Sequence, residues 1–178
     1  MKISPTKAIR KGFTLIEMAL AIALTLGIAA VLITLVQQQM TFTSSITQFN
    51  FLREDAPQIN VLMTNLITQA DDYSIHTTTS NAKSGANAIT ADGRALRLRF
   101  RLPDGSFDYA IISFEVINGQ RQLNYYRRNS DEQNWPVSPT WVISSKPDVV
   151  NFSNNGGILE INLVGKYGEE FTFAGNPS

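Results

Sequence analysis

The chain has 178 residues, 43% of them hydrophobic, and its 15 lysines and arginines balance its 15 aspartates and glutamates. This size and composition predict one folded domain with an appendage, not a disordered chain. A net charge of zero without a broad basic region excludes the electrostatic footprint of a nucleic-acid-binding protein, so we expect no nucleic-acid partner.

The residue types needed for catalysis or metal binding are scarce. Cysteine is absent and His76 is the single histidine, which excludes disulfides, thiolate chemistry and sites with several histidine ligands. No Gly-x-Ser-x-Gly elbow occurs, and we predict that His76 lies at the surface. None of the adjacent acidic pairs follows the spacing of a calcium loop; these pairs are Asp71-Asp72, Asp131-Glu132 and Glu169-Glu170. We expect no enzymatic activity, no cofactor and no metal.

A basic segment precedes a long apolar run. Residues 13–36 carry a single charge, Glu17, and as a helix they would span roughly 36 Å, more than a bilayer core of about 30 Å. This length favours a membrane anchor over a cleaved secretory signal peptide. Residues 1–12 contain four cations and no acid, which predicts a cytoplasmic N-terminus. These cations are Lys2, Lys7, Arg10 and Lys11.

Glu17 is unexpected in such an anchor, because an acidic group in the hydrocarbon region costs on the order of a few kcal/mol without a partner. A free amino terminus is one natural partner. Cleavage between Gly12 and Phe13 would create such a terminus close to Glu17. The sequence therefore raises the hypothesis of cleavage before the apolar run instead of after it.

The stretch "RKGFTLIE", followed by about twenty apolar residues, resembles the N-terminus of the type IV pilin family, which includes major and minor pilins and the pseudopilins of type II secretion systems. The resemblance implies that a prepilin peptidase cuts after Gly12 and N-methylates Phe13. It also implies that Glu17 aligns an incoming subunit by pairing with the free amino group of a neighbour in the filament. The implied partners are this peptidase, other pilin or pseudopilin subunits, an inner-membrane assembly platform and membrane lipid.

Beyond Val36 the apolar residues recur every three or four positions, which predicts an amphipathic helix over residues 37–76. We expect the apolar stripe to pack in the core of a globular head; the alternative is a surface that binds a partner. Pro57 either kinks this helix or follows Asp55 at the start of a second helical piece. The members of the stripe are Phe42, Ile46, Phe49, Leu52, Ala56, Ile59, Met63, Leu66 and Ala70.

Residues 77–93 are rich in Thr, Ser, Asn, Ala and Gly, which predicts a solvated connecting loop. The stretch "RALRLRFRL" then alternates leucine with arginine, so one face of a strand is buried and the other is basic. Turns at residues 103–105 and at Asn118-Gly119 predict an antiparallel meander. The arginines form either a cross-strand charge ladder, neutralised by Asp108 and Glu115, or a surface that docks a neighbouring subunit.

Residues 130–148 are rich in proline, and we expect Trp135 and Trp141 to pin this irregular segment to the sheet. A terminal hairpin around residues 166–168 should complete the sheet. The predicted fold is α+β: a long N-terminal helix, first membrane-spanning and then amphipathic, packed on an antiparallel β-sheet head. The predicted divisions are a cleaved leader (1–12), a transmembrane and filament-core helix (13–36), an amphipathic helix (37–76) and the β-sheet head (77–178).

The lack of cysteine departs from major type IV pilins, whose C-terminal region is typically closed by a disulfide. The stretch "FLREDAPQINVLMTNLITQADD" resembles the region after the membrane helix in minor pseudopilins of the J type and in the minor pilins related to them. The resemblance thus implies a minor pilin or minor pseudopilin that initiates or caps a filament for secretion or pilus biogenesis. It would lie in the inner membrane with a periplasmic head. The alternative is a membrane-anchored periplasmic binding module with an uncleaved signal anchor.

Overall fold

The structure, a computed structural model, describes residues 14–177 and, within that range, every side chain except those of residues 47 and 48. The predicted leader, including Gly12, and Phe13 lie outside the described residues. The described elements are α1 (Leu15–Asn50), a π-helical turn (Phe51–Asp55), α2 (Ala56–Thr68), β1 (Asp72–His76), α3 (Thr79–Ser84), β2 (Ala88–Ile89), β3 (Ala95–Arg101), β4 (Phe107–Ile117), β5 (Gln120–Arg128), β6 (Trp141–Ser144), β7 (Val149–Asn155), β8 (Ile158–Val164) and β9 (Glu170–Ala174).

The chain divides between Ser45 and Ile46 into two compact units. Most of the first unit is α1, whose large apolar side chains are exposed throughout; Leu15, for example, is 89% exposed. The helical stretch Leu15–Thr68 contains a segment long and apolar enough to cross a membrane. The second unit, called the head below, contains all of the strands. The fold is therefore α+β with a long apolar N-terminal helix.

Pro57 lies in the first turn of α2, directly after the π-helical turn that separates α2 from α1. A second α-helical piece therefore begins here, as one of the two sequence interpretations held, although the side chain of Asp55 does not cap it. The predicted helix over residues 37–76 is wrong at its C-terminal end, because α2 stops at Thr68 and residues 72–76 form β1. The alternation of Tyr73 and Ile75 with polar residues is the strand signal that the longer helical pattern obscured.

The head contains two antiparallel sheets instead of the single predicted one. The first has six strands in the order β2-β1-β3-β4-β5-β6, and the second has three in the order β7-β8-β9. Gly93 joins them, since its N–H donates to the carbonyl of Phe152 at 3.0 Å and its own carbonyl accepts from the N–H of Phe152 at 2.8 Å. A side chain at Gly93 would collide with Ile75 and with the carbonyl of His76. The terminal hairpin thus belongs to the second sheet.

One apolar core unites α2 with both sheets. Strands β3 and β4 contribute alternate residues such as Leu96, Leu98 and Ile112, as the period-two pattern predicted. From α2, four residues at helical spacing enter this core: Ala56, Ile59, Met63 and Ile67. The meander is also confirmed, because β3, β4 and β5 pair in order and the Asn118-Gly119 turn has positive φ at both residues.

Two further expectations are corrected. The apolar stripe is core only in its second half, because Phe42, Ile46 and Phe49 are 69%, 48% and 65% exposed. The predicted loop over residues 77–93 contains α3 and β2. Helix α3 begins at the cap residue Thr78, whose side chain accepts from the N–H of Asn81, and it is followed by a left-handed glycine at position 85.

We predict that Met63→Ala lowers the free energy of unfolding of the head by about 2–5 kcal/mol, because Met63 is fully buried and its loss leaves a cavity. Val61 lies on the same helix but is 61% exposed, so Val61→Ala should cost under about 0.5 kcal/mol. Urea titration of the full chain in a non-ionic detergent, followed by tryptophan fluorescence, measures both. Equal losses in the two variants would contradict the assigned core.

Candidate functional site

The N-terminus of α1 holds Glu17 in a reciprocal arrangement with Thr14. Oε2 of Glu17 accepts from the N–H of Thr14 and from its hydroxyl, both at 2.9 Å. The N–H of Glu17 in turn donates to the hydroxyl of Thr14 at 3.3 Å. This is a capping box, in which a threonine and a glutamate three residues apart satisfy N–H groups that the first turn of a helix leaves unpaired.

The capping box gives the charge of Glu17 two local sources of stabilisation. The hydrogen bonds from Thr14 replace part of the hydration that the carboxylate would lose in an apolar environment. The N-terminus of a helix also carries partial positive charge, which favours an acidic group in its first turn. Glu17 can therefore lie at the start of an apolar helix at a smaller cost than an isolated carboxylate. Its implied partner, the amine of Phe13, lies outside the described residues.

In the head, the outer face of the six-stranded sheet carries the basic stripe predicted for β3. Strand register aligns Asp72, Arg99, Tyr109 and Arg128 in one row across β1, β3, β4 and β5. The guanidinium groups of Arg97 and Arg128 lie 4.5 and 4.9 Å from the ring centre of Tyr109. At the edge of this row, Arg99 forms ion pairs with two adjacent aspartates, at 3.7 Å with Asp71 and at 3.2 Å with Asp72.

The predicted neutralisation of the arginine stripe by Asp108 and Glu115 is wrong. Asp108 pairs with Phe100 in the register, so it lies on the inner face, and it accepts from Arg127 at 2.8 Å. Glu115 lies on the outer face, but its carboxylate accepts hydrogen bonds from residues other than the arginines of the stripe. Instead, aromatic rings and Asp71-Asp72 are the neighbours of the stripe.

Glu115 is the centre of a polar cluster that was not predicted from the sequence. Its Oε1 accepts from Tyr126 at 2.5 Å and from Ser113 and Asn124 at 3.1 Å each. Its Oε2 accepts from Thr79 at 2.9 Å, which ties α3 to the sheet. Burial, and next the hydrogen bond to Glu115, raise the pKa of Tyr126, so its hydroxyl remains a donor at neutral pH. The arrangement is structural, because the carboxylate is fully engaged by hydrogen bonds.

The prediction that His76 lies at the surface is also wrong, since the residue is fully buried. Its Nδ1 lies 2.9 Å from the carbonyl oxygen of Ala86, which can only accept, so Nδ1 carries the proton. Nε2 then accepts from the hydroxyl of Ser74 at 2.9 Å. Burial lowers the pKa of His76, and the nearby cation Arg97 lowers it further, against the hydrogen bond to Ala86.

Trp135 pins the proline-rich segment, as predicted. Its indole N–H donates to the carbonyl of Lys83 at 2.8 Å, and its ring packs on a small second core with Ala82 and Tyr126. Lys83 in turn donates to the carbonyl of Pro136 at 2.9 Å. Trp141 begins β6, and its ring centre lies 5.2 Å from that of Tyr125. Helix α3 and residues 130–140 are thus fixed over one half of the outer face.

No family model, curated protein or solved structure matches the chain. Any proposal about the function of the chain therefore rests on its own sequence and structure. Across residues 14–177, histidines and acidic residues nowhere form a group of three that could hold a metal ion. The acidic pair Asp71-Asp72 instead pairs with Arg99, and Glu169 accepts from the N–H of Tyr167 at 2.9 Å in the terminal hairpin. Two arrangements remain as candidate functional sites: the Thr14–Glu17 capping box and the basic outer face of the six-stranded sheet.

We predict that the head loses stability as the pH falls through the ordinary pKa of histidine, 6.5. Below that pH the unfolded chain binds a proton at residue 76 that the folded chain, with its lowered pKa, does not bind. The free energy of unfolding then falls by at most about 1.4 kcal/mol per pH unit from this group. In His76→Asn, whose amide can still donate to Ala86 but does not titrate, this slope should disappear.

The measurement is urea titration of both proteins between about pH 7.5 and 5.5, a range in which ordinary carboxylates stay ionised. Arg97, the charged group beside His76, keeps its charge throughout this range. The baseline stability of His76→Asn will be lower, but only the slope with pH decides the question. Identical slopes in the two proteins would contradict the lowered pKa of His76.

Proposed function

We propose that the chain is a structural subunit, a minor pseudopilin or minor pilin, that initiates or caps a type IV pilus-like filament for protein secretion or pilus biogenesis. The observation that carries this proposal is the order of residue types in the sequence "RKGFTLIE" directly before an apolar helix. A cation, a glycine, Phe13, a threonine and a glutamate occur in sequence where an ordinary signal anchor needs only apolar residues. In this proposal a prepilin peptidase cuts after Gly12 and methylates the new amino terminus.

The proposed topology follows from charge and length. Four cations before Gly12 favour a cytoplasmic N-terminus, so that the peptidase meets the cleavage site on that side. The head then lies in the periplasm, anchored by one pass through the inner membrane. Removal of residues 1–12 leaves 11 cations against 15 acids, a net charge of −4. Retention by the membrane then depends on the apolar surface of α1 alone.

The exposed surface of α1 supports a role in assembly. Apolar side chains remain exposed beyond the predicted span, up to Phe42, Ile46 and Phe49. An apolar surface of this extent is unfavourable in water and marks an interaction site. Neighbouring helices of a filament would bury it outside the membrane. The capping box adds a carboxylate at the start of the same helix, where the proposed pairing with a neighbour's amine takes place. The partners are other filament subunits and an inner-membrane assembly platform.

Processing is the first test. Intact-mass analysis of protein extracted from membranes, in cells with a prepilin peptidase, should show the loss of residues 1–12 and the addition of one methyl group. Gly12→Val should remain unprocessed, because a side chain is introduced next to the bond that is cut, whereas Ala8→Val should be processed normally. A wild-type chain that retains Met1 would refute the proposal and favour the alternative of an anchored binding module.

Glu17 tests the assembly step, through two variants that separate its roles. Glu17→Gln keeps an acceptor for Thr14 and hence the capping box, but it removes the charge. Glu17→Ala removes both. If the carboxylate pairs with an amine, both variants should insert into the membrane normally but enter filaments about tenfold less, equivalent to ~1.4 kcal/mol.

The measurement is the amount of subunit in the sheared filament fraction, relative to the membrane fraction, in cells that make the remaining subunits. Ile16→Ala, a neighbour without charge, is the control and should incorporate normally. Wild-type incorporation of Glu17→Gln together with a defect in Glu17→Ala would assign Glu17 to helix capping alone.

A further inference from the structure

The exposed part of the outer sheet face concentrates positive charge. It is called the arginine face below and consists of Arg97, Arg99, Arg101 and Arg128 with the rings of Phe107 and Tyr109. Within residues 14–177, only Arg99 of these four cations has a carboxylate within ion-pair distance. Residues 13–178 carry a net charge of −4, so four of their 11 cations lie together on an otherwise acidic protein. Such local charge favours an anionic partner.

The guanidinium groups are held in place by aromatic rings. Arg97 and Arg128 lie over Tyr109, and Arg128 also lies 5.0 Å from the ring centre of Trp135. Arg99 lies 5.1 Å from the ring centre of Phe107. Cation–π contacts of this kind restrict the side chains of Arg97, Arg99 and Arg128 and so lower the entropy lost when they bind a carboxylate. The arginine face therefore offers guanidinium groups in restricted positions that can pair with individual carboxylates.

The arginine face also has unmet bonding capacity. The Nε of Arg99 is shielded from solvent and has no hydrogen-bond partner among the described residues. Arg99 also lines a depression together with the donors Ser74, Arg97 and Tyr109, with Tyr73, and with Asp72, whose carboxylate is paired with Arg99. Burial lowers the pKa of Arg97, and the nearby cations Arg128 and Arg99 lower it further, although Tyr109 opposes them. A partner carboxylate beside Arg97 and Arg128, which form no ion pair among the described residues, would relieve that repulsion and accept charge-assisted hydrogen bonds.

We propose that the arginine face binds an acidic segment of a partner protein, whose carboxylates pair with Arg97, Arg101 and Arg128. A nucleic acid fits less well, because base stacking needs open rings and those of Tyr109, Phe107 and Trp135 are already covered by guanidinium groups. The surface lies in the head and is independent of N-terminal processing.

The test uses the full chain in non-ionic detergent micelles and a fluorescein-labelled Glu-Ala repeat peptide, with fluorescence anisotropy as the readout. We expect saturable binding that weakens as salt is added. The double variant R97Q/R128Q should bind about fivefold to tenfold more weakly, the combined effect of two partly exposed ion pairs. A labelled Gln-Ala repeat peptide gives the background.

Two control variants separate the arginine face from net charge. R53Q/R121Q removes two exposed cations elsewhere: Arg53 in the π-helical turn and Arg121, which pairs with Asp148. It should bind within about twofold of the wild type. R97K/R128K keeps both charges but loses the planar stacked groups, so it should lose about threefold. The lysine variant also keeps the test decisive if the glutamine variant unfolds.

Three results would overturn the proposal. The first is binding of the Glu-Ala peptide no tighter than that of the Gln-Ala peptide. The second is an equal loss of affinity in R97Q/R128Q and R53Q/R121Q, or no loss in R97K/R128K, which would reduce the effect to charge alone. The third is displacement of the peptide by oligothymidine at lower concentrations than by unlabelled peptide, which would assign the face to nucleic acid.

Discussion

The apolar interface between α2 and the inner faces of the two sheets is the interaction on which the head depends. Met63 and Ile67 of α2 are fully buried, as are Leu98 of the first sheet and Ile161 of the second. Because side chains alternate along a strand, burial of one set of residues fixes the register and directs the intervening set outward. The position of the arginines on the outer face is therefore a consequence of how the core is packed.

Different groups pack on the two halves of the outer face of the six-stranded sheet. Over one half, α3 and Trp135 form a second, smaller core, and four donors hydrogen-bond to the half-buried carboxylate of Glu115. Over the other half, arginine side chains lie on aromatic rings. Arg128 lies at the boundary, since it contacts Tyr109 on the open half and Trp135 on the closed half. The side chain of Arg128 thus links the two halves of the outer face.

Local patterns were sufficient where the interaction itself is local. The alternation around Leu96 and Leu98 and the Asn118-Gly119 turn predicted the meander. The spacing of Thr14 and Glu17 is that of a capping box, but we made no such prediction from it. The sequence was insufficient where the partner is distant. His76 is buried by Ala86 and Ser74, and the separate second sheet depends on Gly93 meeting Phe152. Helical periodicity defined the apolar stripe, but it could not show that packing begins only after Phe49.

The capping box bears on why an acidic residue can begin an apolar helix. An unpartnered carboxylate there would oppose insertion, but Glu17 has partners within its own first turn before any other chain is present. Pairing with a neighbour's amine, as proposed, would add an ion pair to hydrogen bonds already formed or exchange one for the other. The net gain is then smaller than that of rescuing a bare charge. In the proposed filament, a subunit with such a box would insert into the membrane without a partner and would still gain from assembly.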